Sequence, residues 1–302
     1  MLSFIAASLP LLLAAAPPDG APTRAGLEEA LPRYAAGAER ASRASALLLG
    51  APYRPSPLGE GSGFDPDPRF RLDAFDCVTF VETAIALGSA RSVGEAERLL
   101  DDVRYDGPPA YRSRNHYVES QWIPSLEKKG WLEPVTRELA GERTVRVERH
   151  LDEAAWERAA RSGHLLPGLT RDDVPKGDFA LDLLPLDFLP GLAQRIPDGT
   201  VLIVLREERP TRPSQVSHMG IVVQRPDGSR VLRHASDVPG VMRVRDEPLD
   251  GFTRRAAHHQ WKIVGVSLYR IRDNSKRLEQ PGAGQPLPLT ETGTPSLPSN
   301  SQ

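Results

Sequence analysis

The chain has 302 residues, enough for one large or two small domains with a real core. Hydrophobic residues make up 39% and charged residues 26%, the proportions of an ordinary soluble globular protein. Lys+Arg at 38 against Asp+Glu at 40 leaves a net charge of -2, which gives no electrostatic footprint for nucleic acid or an anionic membrane surface.

In chain order, the first element is an apolar run from Leu2 to Ala16. It is shorter than the roughly 20 residues a membrane helix needs. Its length and the small residues Ala14, Ala15 and Ala16 fit a secretory signal peptide over residues 1–16, although no Lys or Arg precedes the run and Pro17 follows it. The expected location is therefore exported, periplasmic or extracellular, with no membrane span in the mature chain. Arg24 to Gly50 repeats apolar residues at helical spacing and ends at a glycine. Ala51 to Phe70 is crowded with Pro and Gly and reads as loop. A helix opening at Cys77, a second over "RSVGEAERLLDDVRY" and a third over Asn115 to Trp131, stopped around Pro124 and Gly130, follow. Residues 133–192 are mixed, with a strand-like alternation from Thr144 to Arg149, a capped helix from Asp152 to Ser162 and a loop-rich stretch up to Pro190.

Beyond Gly199 the pattern changes to short β-branched runs, "TVLIVLR", "HMGIVVQ", "RVLRHAS" and "KIVGVSLYRI", with a hairpin signal in "RPDGS". Residues 273–302 carry no apolar period and read as a disordered tail. Helices first and an antiparallel sheet afterwards give the class α+β, with one domain over residues 24–272 and residues 133–192 as an insertion.

Cys77 is the only cysteine, so it has no partner for an internal disulfide. Asp76 is a suitable N-cap, and Val81, Ala84, Ile85 and Gly88 continue one helical face behind Cys77. The first turn of a helix favours a thiolate, and a neighbouring aspartate opposes it unless its charge is engaged in capping. A buried, inert cysteine is the alternative. A nucleophilic thiol needs a base, and histidine is suited to that role near neutral pH. His218 and His234 lie in strands that flank the "RPDGS" turn. An odd loop of three or five residues centred on Asp227 places both on one sheet face, with Gly220 directly across from His234. One imidazole can then orient the other. A loop of two or four residues would separate them, and either histidine alone is equally a polar residue satisfied by the backbone.

These segments together, "FDCVTFVE", "SHMGIVV" and "LRHAS", resemble the NlpC-type, papain-like peptidoglycan hydrolases. "GAPYRPSPLG", "DCVTFVET", "RNHYVESQWI" and "IPDG" are similar to the N-acetylmuramoyl-L-alanine amidase-like branch of that superfamily, over roughly residues 48–271. The resemblance implies a papain-like fold with the nucleophile helix packed on an antiparallel sheet. It assigns Cys77, His218 and His234 as the catalytic set and matches Tyr53 to an oxyanion donor, where a loop aromatic is the alternative. "NHYVESQW" carries one more residue before the tryptophan than this branch leads one to expect. Asn115, His116 and Tyr117 either line the substrate cleft or form the polar side of a helix.

The implied activity is cysteine-dependent cleavage of the amide between N-acetylmuramic acid and L-alanine, in peptidoglycan or muropeptides. The alternatives are a γ-D-glutamyl endopeptidase and a non-catalytic wall-binding module. No cofactor is implied. His258 and His259 point apart in most backbones, and His150 with Glu153 lacks a third ligand, so no metal centre is expected.

Overall fold

The computed structural model describes residues 23–279; the signal-peptide segment 1–16 and residues 280–302 lie outside them. Thr23 caps α1 (Arg24–Ala30), which passes through a 3₁₀ turn and gives way to α2 (Ala38–Ala46). The single helix expected over this stretch is broken at Gly37, whose φ of 90° suits glycine and whose Cα approaches the backbone of Asp273. After the long loop come α3 (Cys77–Ser89) and α4 (Val93–Arg104).

The third expected helix forms differently. Asn115, His116 and Tyr117 precede it, and Val118–Trp122 is a π turn leading directly into α5 (Ile123–Lys128). Backbone N–H groups of Trp122 and Ile123 reach back five residues, to Tyr117 and Val118. Such a turn holds one residue more than an α turn, which accommodates the additional residue ahead of Trp122. Pro124 does not stop the helix, because in the first turn of α5 its missing N–H is not needed.

The stretch expected as an insertion is more ordered than its sequence implies. It contains β1 (Leu132–Pro134), α6 (Thr136–Ala140), β2 (Val145–Leu151), α7 (Glu153–Arg161) capped by Asp152, β3 (Gly177–Pro185) and α8 (Leu189–Leu192). The long β3 strand falls in the stretch that reads as loop. Then follow β4 (Thr200–Arg206), β5 (Val216–Gln224), β6 (Arg230–Ser236), β7 (Arg243–Pro248), α9 (Leu249–Ala257) and β8 (Ile263–Ile271).

All eight strands join one antiparallel sheet in the order β2-β3-β8-β4-β5-β6-β7, with β1 on β8. Helices cover both faces, which is why β4 is buried along its whole length. Val201, Ile203, Met219, Ile221 and Ala235 face the core formed with α2, α3 and α4. Leu202, Val204, Val222 and Leu232 face a second core with α8 and α9. Residues 273–279, expected to belong to the tail, are packed on the domain. Asn274 donates to the carbonyl of Lys129, Arg277 pairs with Asp102 at 2.6 Å, and Ser275–Glu279 forms a 3₁₀ turn. Among the described residues no helix is long and apolar enough to cross a membrane.

Candidate active site

The hairpin between β5 and β6 decides the arrangement of the histidines. Gln224 pairs with Arg230, so the loop is the five residues 225–229, one of the two odd lengths that put His218 and His234 on one face. Nε2 of His218 lies 2.7 Å from Nδ1 of His234, with the rings edge to face. Gly220 is needed between them. A Cβ there would fall 2.7 Å from the carbonyl of Arg233 and 2.9 Å from Cβ of His234.

Behind His234 stands a residue to which the sequence reading gave no role. Oε2 of Glu247, on β7, lies 3.2 Å from Nε2 of His234, a close contact that is not well aligned for a hydrogen bond. Arg255 of α9 donates to both oxygens of Glu247, at 3.0 and 2.7 Å. Burial opposes ionisation of Glu247, but His234 and Arg255 outweigh it and hold the carboxyl well below the usual range. A carboxylate at Nε2 favours a proton there, which makes Nδ1 of a neutral His234 an acceptor for the N–H at Nε2 of His218. The lone pair of His218 is then at Nδ1. Leu232 and Glu247 are register partners, so Glu247 lies on the same sheet face as His234, and no local signal in its own segment marks it for that role.

Cys77 opens α3 beneath a reciprocal cap. Oδ1 of Asp76 accepts from the Thr79 N–H at 2.8 Å, and the Asp76 N–H donates to Oγ1 of Thr79 at 3.0 Å. Oδ2 of Asp76 accepts from the Ser56 N–H. The backbone N–H of Met219, the residue after His218, favours the ionised form of the thiol. The structure thus brings His218 and His234 into contact and packs α3, which Cys77 opens, on β5, the strand that carries His218. Tyr53 packs beside the same helix end. Burial, reinforced by Cys77, Asp76 and Asp237, raises its phenol and keeps it a hydrogen-bond donor. Asp237, just past β6, lines the cavity of His218 and His234, and its charge also opposes ionisation of Cys77.

The thiolate expected from the helix end is corrected by these surroundings. Burial pushes Cys77 up to about 12, Asp76 and Asp237 add to it, and the N–H groups of Met219 and Cys77 only partly offset it. Burial also drives His218 well below 6.5, helped by His234 and Arg255. These surroundings favour a neutral thiol and a neutral imidazole at rest. Because His218 is the depressed base, its unfolded counterpart takes up a proton below about pH 6.5 while the folded one does not. The stability it contributes is therefore complete above about pH 6.5 and declines as pH falls from there toward the folded pKa. For activity, kcat/KM will stay level from about pH 9 down to about 6.5 and drop only further into acid, and iodoacetamide alkylation of Cys77 will climb with pH over the same range. A kcat/KM profile with an acid limb at or above 6.5, or alkylation already saturated at pH 7, contradicts the neutral pair.

Of the three tentative cleft residues, His116 and Tyr117 are drawn into packing, whereas Asn115 lines a separate cavity with Arg112, Arg114 and Lys128. The Asn115 N–H donates to the carbonyl of Arg104, and Nε2 of His116 sits 2.6 Å from the carbonyl of Tyr111. Tyr117 packs edge-on against Trp156 in a third small core. None of the three lines the histidine cavity. Among the described residues no three His, Cys, Asp or Glu side chains are disposed to hold a metal ion.

Residues 43–258 match the AmiA-like family, described as N-acetylmuramoyl-L-alanine amidase-like. The chain belongs to that family. It resembles in structure a protein of Legionella pneumophila, with 21% identity, a TM-score of 0.69 and coverage of 82% of this chain and 94% of that one. An N-acetylmuramoyl-L-alanine amidase of Bacteroides uniformis is similar at 19% identity and a TM-score of 0.58, covering 82% and 99%. A candidate xylanase of Bacteroides fragilis is similar at 24% identity and a TM-score of 0.58, covering 75% and 98%. At these identities the likeness is one of fold. No curated protein matches the sequence. Membership of this amidase-like family points to a hydrolase whose substrate is peptidoglycan.

Proposed function

We propose that this AmiA-like protein is a cysteine amidase with an NlpC-type, papain-like catalytic arrangement, cutting the amide between N-acetylmuramic acid and L-alanine in peptidoglycan or muropeptides. The observation that carries it is the 2.7 Å contact between His218 of β5 and His234 of β6, beside the helix that Cys77 opens, which packs on β5. In this mechanism Nδ1 of His218 takes the proton of Cys77 as sulfur attacks the amide carbonyl, because a thiol this hard to ionise must lose its proton during attack. The backbone N–H of Cys77 and the Tyr53 hydroxyl donate to the oxyanion. His218 then returns the proton to the departing amine of L-alanine, leaving the muramoyl group as a thioester. Water, deprotonated by His218, releases it. His234 and Glu247 hold His218 in the tautomer that leaves Nδ1 free. The apolar run at Leu2–Ala16 supports a protein that works outside the cytoplasm, in the periplasm or beyond.

Mass spectrometry of purified muropeptides incubated with the protein tests the bond assignment. Release of peptides beginning with L-alanine, together with free muramoyl saccharide, is expected. Cuts only after γ-linked D-glutamate would make it the endopeptidase, and binding without any cleavage would make it a wall-binding module.

A further inference from the structure

The cavity that contains His218 and His234, about 160 Å³ in volume, is also lined by Trp261. Three arginines converge on that indole: the guanidinium carbons of Arg206, Arg209 and Arg212 lie 5.0, 5.8 and 5.4 Å from its ring centre. Arg206 ends β4, and the other two belong to the loop that joins β4 to β5. Like charges this close repel, and the acidic groups nearby do not balance them. Glu119 and Glu208 pair with Arg149, and Glu207 lies 3.6 Å from Arg209. Arg206 and Arg212 have no carboxylate partner among the described residues.

Arg206 is only 7% exposed, its Nη2 donates to the Ser214 carbonyl, and its Nε has no hydrogen-bond partner. Burial, then Arg212 and Arg209, work against its charge. The indole face offsets part of this cost, but a buried cation without an anion remains unfavourable.

The loop is also fixed in place. Arg149 of β2 donates to the Arg212 carbonyl at 3.0 Å, and Glu119 of the π turn accepts from the Gln215 N–H at 2.6 Å and from Ser214. The insertion and the π turn therefore hold the cations ready before anything binds, which lowers the ordering cost of capture.

We propose that Arg209 and Arg212, set on Trp261 with Arg206 behind them, bind a carboxylate of the substrate's peptide while the scissile amide lies at Cys77. This rests on the amidase reading and adds what the protein requires of its substrate: a negatively charged stem peptide. The carboxylate is either the free α-carboxylate of a γ-linked D-glutamate or the carboxyl end of the peptide.

The test compares muramoyl-L-alanyl-γ-D-glutamyl peptides with both carboxylates free, with the glutamate α-carboxylate amidated, or with the carboxyl end amidated. Wild type, Arg212→Gln and the Arg209→Gln/Arg212→Gln double variant are each checked by thermal melting. The double variant will raise KM for the free peptide about tenfold with kcat within about twofold. Amidating the recognised carboxylate will raise KM equally in wild type and leave the double variant indifferent, and the amide that does so identifies the group. Wild-type KM in both variants, or a wild type indifferent to both amides, overturns the subsite. Calorimetric binding of the free peptide to Cys77→Ala, with and without the arginine substitutions, reads the subsite without turnover. A protein that binds through the arginines yet cuts no muramoyl amide overturns the amidase reading alone.

Discussion

Cys77→Ala will lose turnover by about ten-thousand-fold or more and melt within about 3 °C of wild type. The first effect follows from the chemistry. Without sulfur there is no acyl acceptor, and the remaining oxyanion donors and histidines have nothing to assist. The second follows from position. Cys77 is the first residue of α3, and the reciprocal cap between Asp76 and Thr79 does not involve its side chain. The substitution removes a single atom from a half-buried residue at the helix start. Steady-state assays on muropeptides, paired with a melting curve, check both halves. Residual hydrolysis within tenfold of wild type would remove the thiol from the mechanism. A collapsed melting curve would mean that Cys77 is a core residue.

Arg104→Ala will destabilise the fold by about 3–5 kcal/mol. Nε of Arg104 meets Glu82 at 3.2 Å in a pair that is nearly inaccessible to water. The same guanidinium donates to the carbonyls of Leu58 and Gly59 and to the Tyr105 hydroxyl. Glu82 also accepts from the Trp122 indole at 3.0 Å. Burial pushes Glu82 up to about 7 even against the pull of Arg104, so removing the cation leaves a carboxyl with no acceptable charged state in the core. Because Glu82 lies on α3, this pair also ties the helix carrying Cys77 to α4 and to the π turn. Urea denaturation measures the loss. An Arg104→Met/Glu82→Leu double variant should recover most of it, since the unpaired charge disappears with its partner. A single variant within about 1 kcal/mol of wild type would show that the pair is dispensable.

Local signals made part of the site legible. Asp76 before an apolar helical face marked the start of α3, and the odd loop built on "RPDGS" predicted the shared face of His218 and His234 and the position of Gly220. Both arguments use only period and parity, which the backbone imposes within a few residues. Glu247 and Arg255 were not legible. Each is an ordinary charged residue in its own segment, and they acquire a role only because β7 pairs with β6 and α9 folds over that face. The long β3 strand was missed because its stretch carries prolines and glycines around a short apolar run, and its pairing partners are distant in sequence.

The sequence by itself determined where α3 begins, which strands form the hairpin, and that a single thiol and two strand histidines were available for chemistry. Tertiary structure decided their chemical state. Burial favours a neutral thiol over the expected thiolate, and His116 and Tyr117 pack outside the cavity of the two histidines. Distant segments supplied the carboxylate behind His234 and the arginines around Trp261. The physical reason is range: capping, turn parity and periodicity act over a few residues, whereas desolvation and charge pairing depend on everything that packs around a group, from any part of the chain.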